Sequence, residues 1–183
     1  MVSDSVHDAR EKTVPVPGWP APALDMATVG GGRFRLDACS PELFTLVVFY
    51  RGLHSLSCRA YVQRLSELRR RYETQGVAVV AASMDGEERA SRACSEWGIE
   101  GLVVGHSIDV GQALGWGLFL STAVSPQEPP RFCEPGLYLV QPDHVLYAAI
   151  IGSAPFGRPD LDELLAEVAL IREHRCPARG VAG

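Results

Sequence analysis

Cys58 is the residue whose neighbours best equip it for chemistry. It closes a stretch holding Arg51, Gly52, His54 and Ser55, and that stretch opens with the apolar, β-branched and aromatic run Leu46 to Tyr50, the pattern of a central strand buried on both faces. Gly52 permits a sharp reversal. Apolar residues then recur at Cys58, Tyr61, Val62, Leu65, Leu68 and Tyr72 before Gly76, the spacing of an amphipathic helix with a glycine stop. Cys58 therefore falls in the first turn of a helix, where free backbone N–H groups and the positive dipole end favour a thiolate. A thiolate attacks peroxide oxygen and disulfide sulfur. Ser55 stands one turn earlier, so its hydroxyl can hydrogen-bond both the sulfur and an incoming oxygen. Arg51 and His54 flank the same turn and can hold a thiolate by charge or hydrogen bonding, and His54 can shuttle a proton near neutral pH. The plainer alternative is a solvated Arg51 and a His54 packed under the helix.

The five cysteines, Cys39, Cys58, Cys94, Cys133 and Cys176, are odd in number and scattered. They form no C-x-x-C and no zinc-ligand spacing, so neither a disulfide framework nor a metal site is expected. Cys94 shares a helical stripe with Ala90 and Trp97 and reads as a small buried hydrophobe. Cys39 and Cys176 lie in segments with too little pattern to interpret.

A chain of 183 residues, 46% hydrophobic, suits one globular domain, taken as 15–176 between a flexible tail at 1–14 and a C-terminal tail at 177–183. The net charge is −5, and the one basic run, Arg69 to Arg71, falls on the solvated face of the Cys58 helix; this argues against nucleic acid or anionic membrane as partners. The first twelve residues contain no apolar core of a leader, and no apolar span approaches about 18 residues. A cytoplasmic location is the expectation.

Pro15 to Pro22 reads as an extended lead-in. Leu24 to Val29 and Arg33 to Leu36 flank Gly30-Gly31-Gly32 as a β-hairpin. Leu46 to Tyr50, the Cys58 helix and Val77 to Ala82 make a right-handed strand-helix-strand unit. Asp85 with Glu88 reads as the N-cap of a helix ending near Trp97 and Gly98. Leu102 to Val104 suits a short strand, and Asp109 caps a brief helix to Leu114. Gly115 to Pro130 reads as a long surface loop, a place for function or mobility. Leu137 to Val140 and Val145 to Ile151 form a hairpin around Gln141 to His144, and Asp160 caps a last helix with the stripe Leu161, Leu164, Leu165, Val168 and Ile171.

This order, with a cysteine at the tip of the first helix, resembles the thioredoxin-like α/β fold: a central mixed sheet flanked by helices, here with an N-terminal β-hairpin extension. Phe49-Tyr50-Arg51-Gly52-Leu53-His54-Ser55-Leu56-Ser57-Cys58 resembles the F-Y-R-G-x-H-C-P-x-C signature of the peroxiredoxin-like branch of the alkyl hydroperoxide reductase/thiol-specific antioxidant family. Val79 to Asp85, Glu134 to Val140 and Pro177 to Gly180 resemble that branch too, so the likeness runs from about Pro17 to Gly180.

The resemblance implies a thiol-dependent oxidoreductase that needs no cofactor, acts through Cys58 on a peroxide or disulfide, and is reduced by an external thiol; a homodimer is compatible with it. Ser55 replaces the first cysteine of the usual C-x-x-C, so no dithiol cycle is possible within the motif. Ser55-x-x-Cys58 is instead similar to the T-x-x-C of true peroxiredoxins, whose hydroxyl orients peroxide. The supporting arginine of those enzymes falls where this chain has Pro135, and Arg131 is the nearest cation that could replace it. Pro135 resembles the cis-proline of thioredoxins, which presents the backbone of the preceding residue, here Glu134, to a thiol substrate; an ordinary trans proline is the alternative. Cys133 would then lie close to Cys58 and could resolve its oxidised form. Trp116 and Phe119 either wall a substrate pocket or belong to the core. Two other readings stay open: a thioredoxin-like enzyme of different chemistry acting on a biosynthetic substrate, and a binding protein in which Cys58 is vestigial.

Overall fold

The computed structural model describes residues 14–181. Strand β3 (Phe44–Phe49) is buried along its whole length, because sheet continues on both sides of it. Strand β4 (Val77–Ala82) pairs with it in parallel, placing Val47 against Val80 and Phe49 against Ala82. Strand β5 (Val103–His106) extends the parallel set beyond β4. On the other side β8 (Gly136–Val140) runs antiparallel to β3, and β9 (Leu146–Ile151) antiparallel to β8. The glycine hairpin, β1 (Asp25–Thr28) and β2 (Arg33–Arg35), joins the far edge through β1 and β5, so the mixed sheet runs β2-β1-β5-β4-β3-β8-β9. The expected N-terminal extension is therefore part of the main sheet.

Period-two alternation along β3 divides two cores. Leu46, Val48 and Tyr50 face one side with Cys58. That layer is built by α1 (Leu56–Thr74), α2 (Glu87–Trp97) and α4 (Leu161–His174), through Val62, Leu65, Leu68, Tyr72, Trp97, Leu165 and Val168. Val47 and Phe49 face the other side, over α3 (Val110–Gly115) and Trp116. Each fully buried large apolar side chain contributes about 1.5–3 kcal/mol of transfer free energy.

Helix caps follow the sequence at two of the three positions where it announces one, Asp109 and Asp160 but not Asp85, and Ser55 adds a cap that the reading did not name. Asp109 and Gln112 form a reciprocal capping box, and Asp160 accepts from the N–H groups of Asp162 and Glu163. Ser55 caps α1. Asp85 does not cap α2: Gly86 is the N-cap, and the Asp85 carboxylate turns away to Leu53 and Arg89. On the predicted stripe of α2, Ala90 and Trp97 are buried, but Ala93 takes the inner place expected of Cys94, which is half-buried.

The segment 115–130 is not a structureless loop. Strand β6 (Leu120–Thr122) pairs with β7 (Arg131–Cys133), which pins both ends of a short excursion. Trp116 is wholly buried, its Nε1 donating to Ala23 O at 3.2 Å, and its carbonyl accepts from Tyr138 Oη. It packs on Phe49 and Tyr138, on the face away from Cys58, and so walls no pocket there. Phe119 is partly exposed.

Most of the N-terminal tail expected at 1–14 lies outside the described residues. The start of the C-terminal tail is tied down, with Tyr147 Oη donating to Cys176 O and Val181 packed over Gly18. Among the described residues, no helix is long and apolar enough to cross a membrane, and no three His, Cys, Asp or Glu gather as a metal site.

Candidate active site

The strand-to-helix turn after β3 brings the chemistry together. Ser55 ends it with extended backbone, and its Oγ accepts from Cys58 N at 3.4 Å, the N-cap bond that starts α1. Cys58 sits three residues further on, with no exposed surface. Its Sγ receives two N–H groups, Arg51 N at 3.5 Å and Arg158 Nη1 at 3.5 Å. Such donors stabilise negative charge on sulfur, and one of them carries a full positive charge. Ser55 is buried, not solvent-facing as the exposed member of a redox pair would be.

Arg158 is the cation that reading the sequence missed. It reaches in from the turn between β9 and α4, where its Nη2 donates to Ser57 O at 2.8 Å and its guanidinium lies 4.3 Å above the Tyr61 ring. Its one local signal is position: Gly157-Arg158-Pro159 directly precedes the Asp160 cap, which aims the side chain at the neighbouring helix tip. Arg131, proposed for this part, is exposed on β7 opposite Thr122. The sulfur it was expected to serve is fully buried and takes its cation from Arg158 instead.

The Arg51 side chain also goes elsewhere than expected. Its guanidinium contacts Glu128 Oε1 at 3.4 Å and Glu134 Oε2 at 3.5 Å, and stacks over Phe132 at 4.6 Å. The Glu134 contact is a charge contact without a well-directed hydrogen bond. Glu128 in turn accepts from Val124 N and Ser125 N, while Glu134 Oε1 takes Ser121 Oγ–H at 2.6 Å. Arg51 thus serves Cys58 by its backbone and anchors the β6–β7 excursion by its side chain. His54 packs against Phe132 with ring centroids 4.6 Å apart. Burial, with the Arg51 charge adding to it, holds its pKa below the usual imidazole value, which keeps the ring neutral at pH 7.

Cys133 is buried, as a core residue of the opposite layer. Its Sγ donates to Tyr50 O at 3.6 Å. The peptide carrying that carbonyl is the one whose N–H, from Arg51, faces Cys58. A trans peptide directs its C=O and N–H to opposite sides, so the peptide stands between the two sulfurs: Cys133 lies near Cys58, as expected, but across a peptide group from it rather than facing it. Burial, and secondarily the neighbouring Cys58 charge, pushes the Cys133 thiol up to about 12.

The Glu134–Pro135 bond is trans, like every described peptide bond. Glu134 N donates to Phe119 O and Pro135 O accepts from Gly152 N, so this backbone is spent on holding the sheet. Pro135 nonetheless lines a cavity of about 40 Å³ with Tyr61, Gly136 and Arg158, whereas a water molecule needs about 10–15 Å³. A shallower cleft of about 470 Å³, edged by Ser57, Tyr61, Phe156 and Arg158, opens on the outside of the same arginine. Phe156 and Leu56 are 79% and 80% exposed.

A mixed sheet flanked by helices, with a buried thiol in the first turn of the helix that follows its central strand, is the arrangement of the thioredoxin-like fold. Residues 17–149 match the AhpC/TSA family, and the chain belongs to that family as a peroxiredoxin-like enzyme. Its fold is similar to that of the peroxidoxin BcpB from Mycobacterium tuberculosis, with a TM-score of 0.70 and 14% identity over 86% of this chain and 98% of that one. The reduced 2-Cys peroxiredoxin of Plasmodium vivax gives a TM-score of 0.72 and 16% identity over 90% of this chain and 88% of its own. The peroxiredoxin-like protein from Aquifex aeolicus gives 0.64 and 13% over 88% and 98%. No curated protein matches the sequence. Arg158 lies beyond the matched family segment.

Proposed function

We propose that the chain is a peroxidase that works through Cys58 alone and is reduced by an external thiol. The observation that carries this reading is the pair of N–H donors, Arg51 N and Arg158 Nη1, both 3.5 Å from Sγ. The thiolate attacks the nearer oxygen of a hydroperoxide and the O–O bond breaks. Sulfur is oxidised to the sulfenic acid, and the leaving oxygen takes a proton and departs as water or an alcohol. Arg158 also faces the small cavity beside Pro135 and Tyr61, so its guanidinium can stabilise charge developing on the leaving oxygen. Ser55 sets the helix start and so the height of Cys58. One external thiol then displaces water to give a mixed disulfide, and a second releases Cys58.

Cys133 takes no part in this cycle, because the Tyr50–Arg51 peptide stands between the sulfurs and a disulfide needs an S–S distance of about 2.05 Å. The reductant approaches through the cleft outside Arg158, which Ser57 and the exposed Phe156 line. Peroxide consumption in the presence of dithiothreitol tests the reading. The parent is expected to turn over and Cys58→Ser to be inert; equal rates in the two proteins would overturn it.

A further inference from the structure

The most completely buried carboxylate near the site belongs to a residue with no part in the chemistry above. The Asp85 side chain has no exposed surface, and it lies just past the end of β4, the parallel neighbour of β3. Its Oδ2 accepts from Leu53 N at 2.7 Å, and its Oδ1 from Arg89 Nε at 2.9 Å. It also fills the space over Gly52, where an added Cβ would sit 2.7 Å from Asp85 Cγ and where φ is +123°. Gly52 is thus glycine for two reasons, backbone angle and the carboxylate pressed on its Cα.

Besides the Cys133 bond to Tyr50 O, the turn holding Arg51 N is fastened at three points. Tyr50 N donates to Ala82 O at 3.0 Å, which ties the incoming strand. Ser55 N donates to Gly52 O at 3.1 Å, which closes the turn on itself. Neither bond fixes how the chain between Arg51 and Leu53 is rotated. The Asp85 bond to Leu53 does, because it is short, charge-assisted and anchored on a different strand. Arg89 neutralises the buried charge and reaches Gln127 O at 3.4 Å, so the same unit also touches the excursion whose Glu128 holds Arg51.

We propose that Asp85 is a positioning residue for Cys58: its carboxylate seats Gly52 and Leu53 so that the Arg51 N–H points at Sγ. This rests on Cys58 being the peroxide-reactive thiol, yet it makes a separate demand. The acceptor offered to Leu53, rather than the charge of Asp85, is what the reaction requires.

Two double variants separate these. Asp85→Asn with Arg89→Met and Asp85→Ala with Arg89→Met both remove the buried charge pair, which avoids leaving one charge unpaired. Only the first keeps an oxygen for Leu53 N–H. Stopped-flow measurement of Cys58 oxidation by hydrogen peroxide, well below each melting temperature, is expected to show the Asn pair within about threefold of the parent and the Ala pair slower by about tenfold or more. Hydrogen exchange at Leu53 is expected to quicken in the Ala pair alone; if the Ala pair does not fold, Asp85→Leu with Arg89→Met, which fills the space over Gly52 but offers Leu53 N–H no oxygen, takes its place in both measurements. A purely structural role would lower both melting temperatures and leave the rate of the folded Ala pair at the parental value; that result, or unchanged Leu53 exchange, overturns the proposal. Failure of the parent itself to oxidise would instead strike at the peroxidase reading.

Discussion

Cys58 and Cys133 are held by opposite ends of one peptide group, Arg51 N–H on the first and Tyr50 C=O on the second. The arrangement makes Cys133 part of the frame and, on the proposed reading, leaves Cys58 to react alone. With burial pushing its thiol up to about 12, Cys133 carries almost no thiolate at neutral pH. Peptide mapping after maleimide treatment of the folded protein at pH 8 is expected to find exposed Cys176 labelled and Cys133 untouched. Labelling of Cys133 without unfolding would contradict its placement.

Arg158 is expected to matter most among the side chains around the sulfur. Removing one preorganised donor from a developing charge costs about 10²–10³ in rate in comparable sites. Arg158→Ala should therefore slow Cys58 oxidation by about a hundredfold, and Arg158→Lys should recover only part of it, because a lysine ammonium cannot reach Sγ and Ser57 O with one planar fork. Arg131→Ala should be neutral. Stopped-flow oxidation of the three variants decides between the two arginines.

Ser55 is expected to act first as a cap. Ser55→Ala should cost about 1 kcal/mol of stability, read from chemical denaturation. Ser55→Cys should close a reversible disulfide with Cys58, one helical turn away, since a disulfide accepts Cα separations of about 4.4–6.8 Å. Thiol titration under oxidising conditions checks this: two free thiols at 55 and 58 would mean that α1 does not start as described.

His54 sets an acid limit. Its pKa is lower in the folded protein than the ordinary 6.5, so the unfolded chain binds the proton more readily. Its contribution to stability is accordingly complete above about pH 6.5 and is lost as the pH falls through the folded-state value. Melting temperatures from pH 7.5 to 5 should fall less steeply for His54→Asn than for the parent. An identical pH slope in the two proteins would contradict a buried, neutral His54.

The parts of the site that lie close together in the chain were legible beforehand. Apolar periodicity located β3 and α1, and with them Cys58 in the first helical turn, while Asp109 and Asp160 announced their helices. Asp85 was misread because an Asp followed three residues later by Glu88 has the form of a cap, whereas its partner Leu53 comes from the turn that follows the neighbouring strand β3. Arg158, a hundred residues from Cys58, left no periodic trace. Pairing of Leu120 with Cys133 turned a stretch rich in Gly, Ser and Pro into a short ribbon, and buried Trp116 on the face away from the thiol. That the bond before Pro135 is trans leaves no mark in the sequence, where either isomer is open to a proline that starts a strand.

Intact mass after one equivalent of hydrogen peroxide tests the central claim, that Cys58 is oxidised without help from Cys133. The folded protein should gain a single oxygen, trapped by dimedone and mapped to Cys58, and Cys133→Ala should behave the same way. Loss of two hydrogens with Cys58 and Cys133 joined, or no change at peroxide levels that oxidise a control peroxiredoxin, would contradict it.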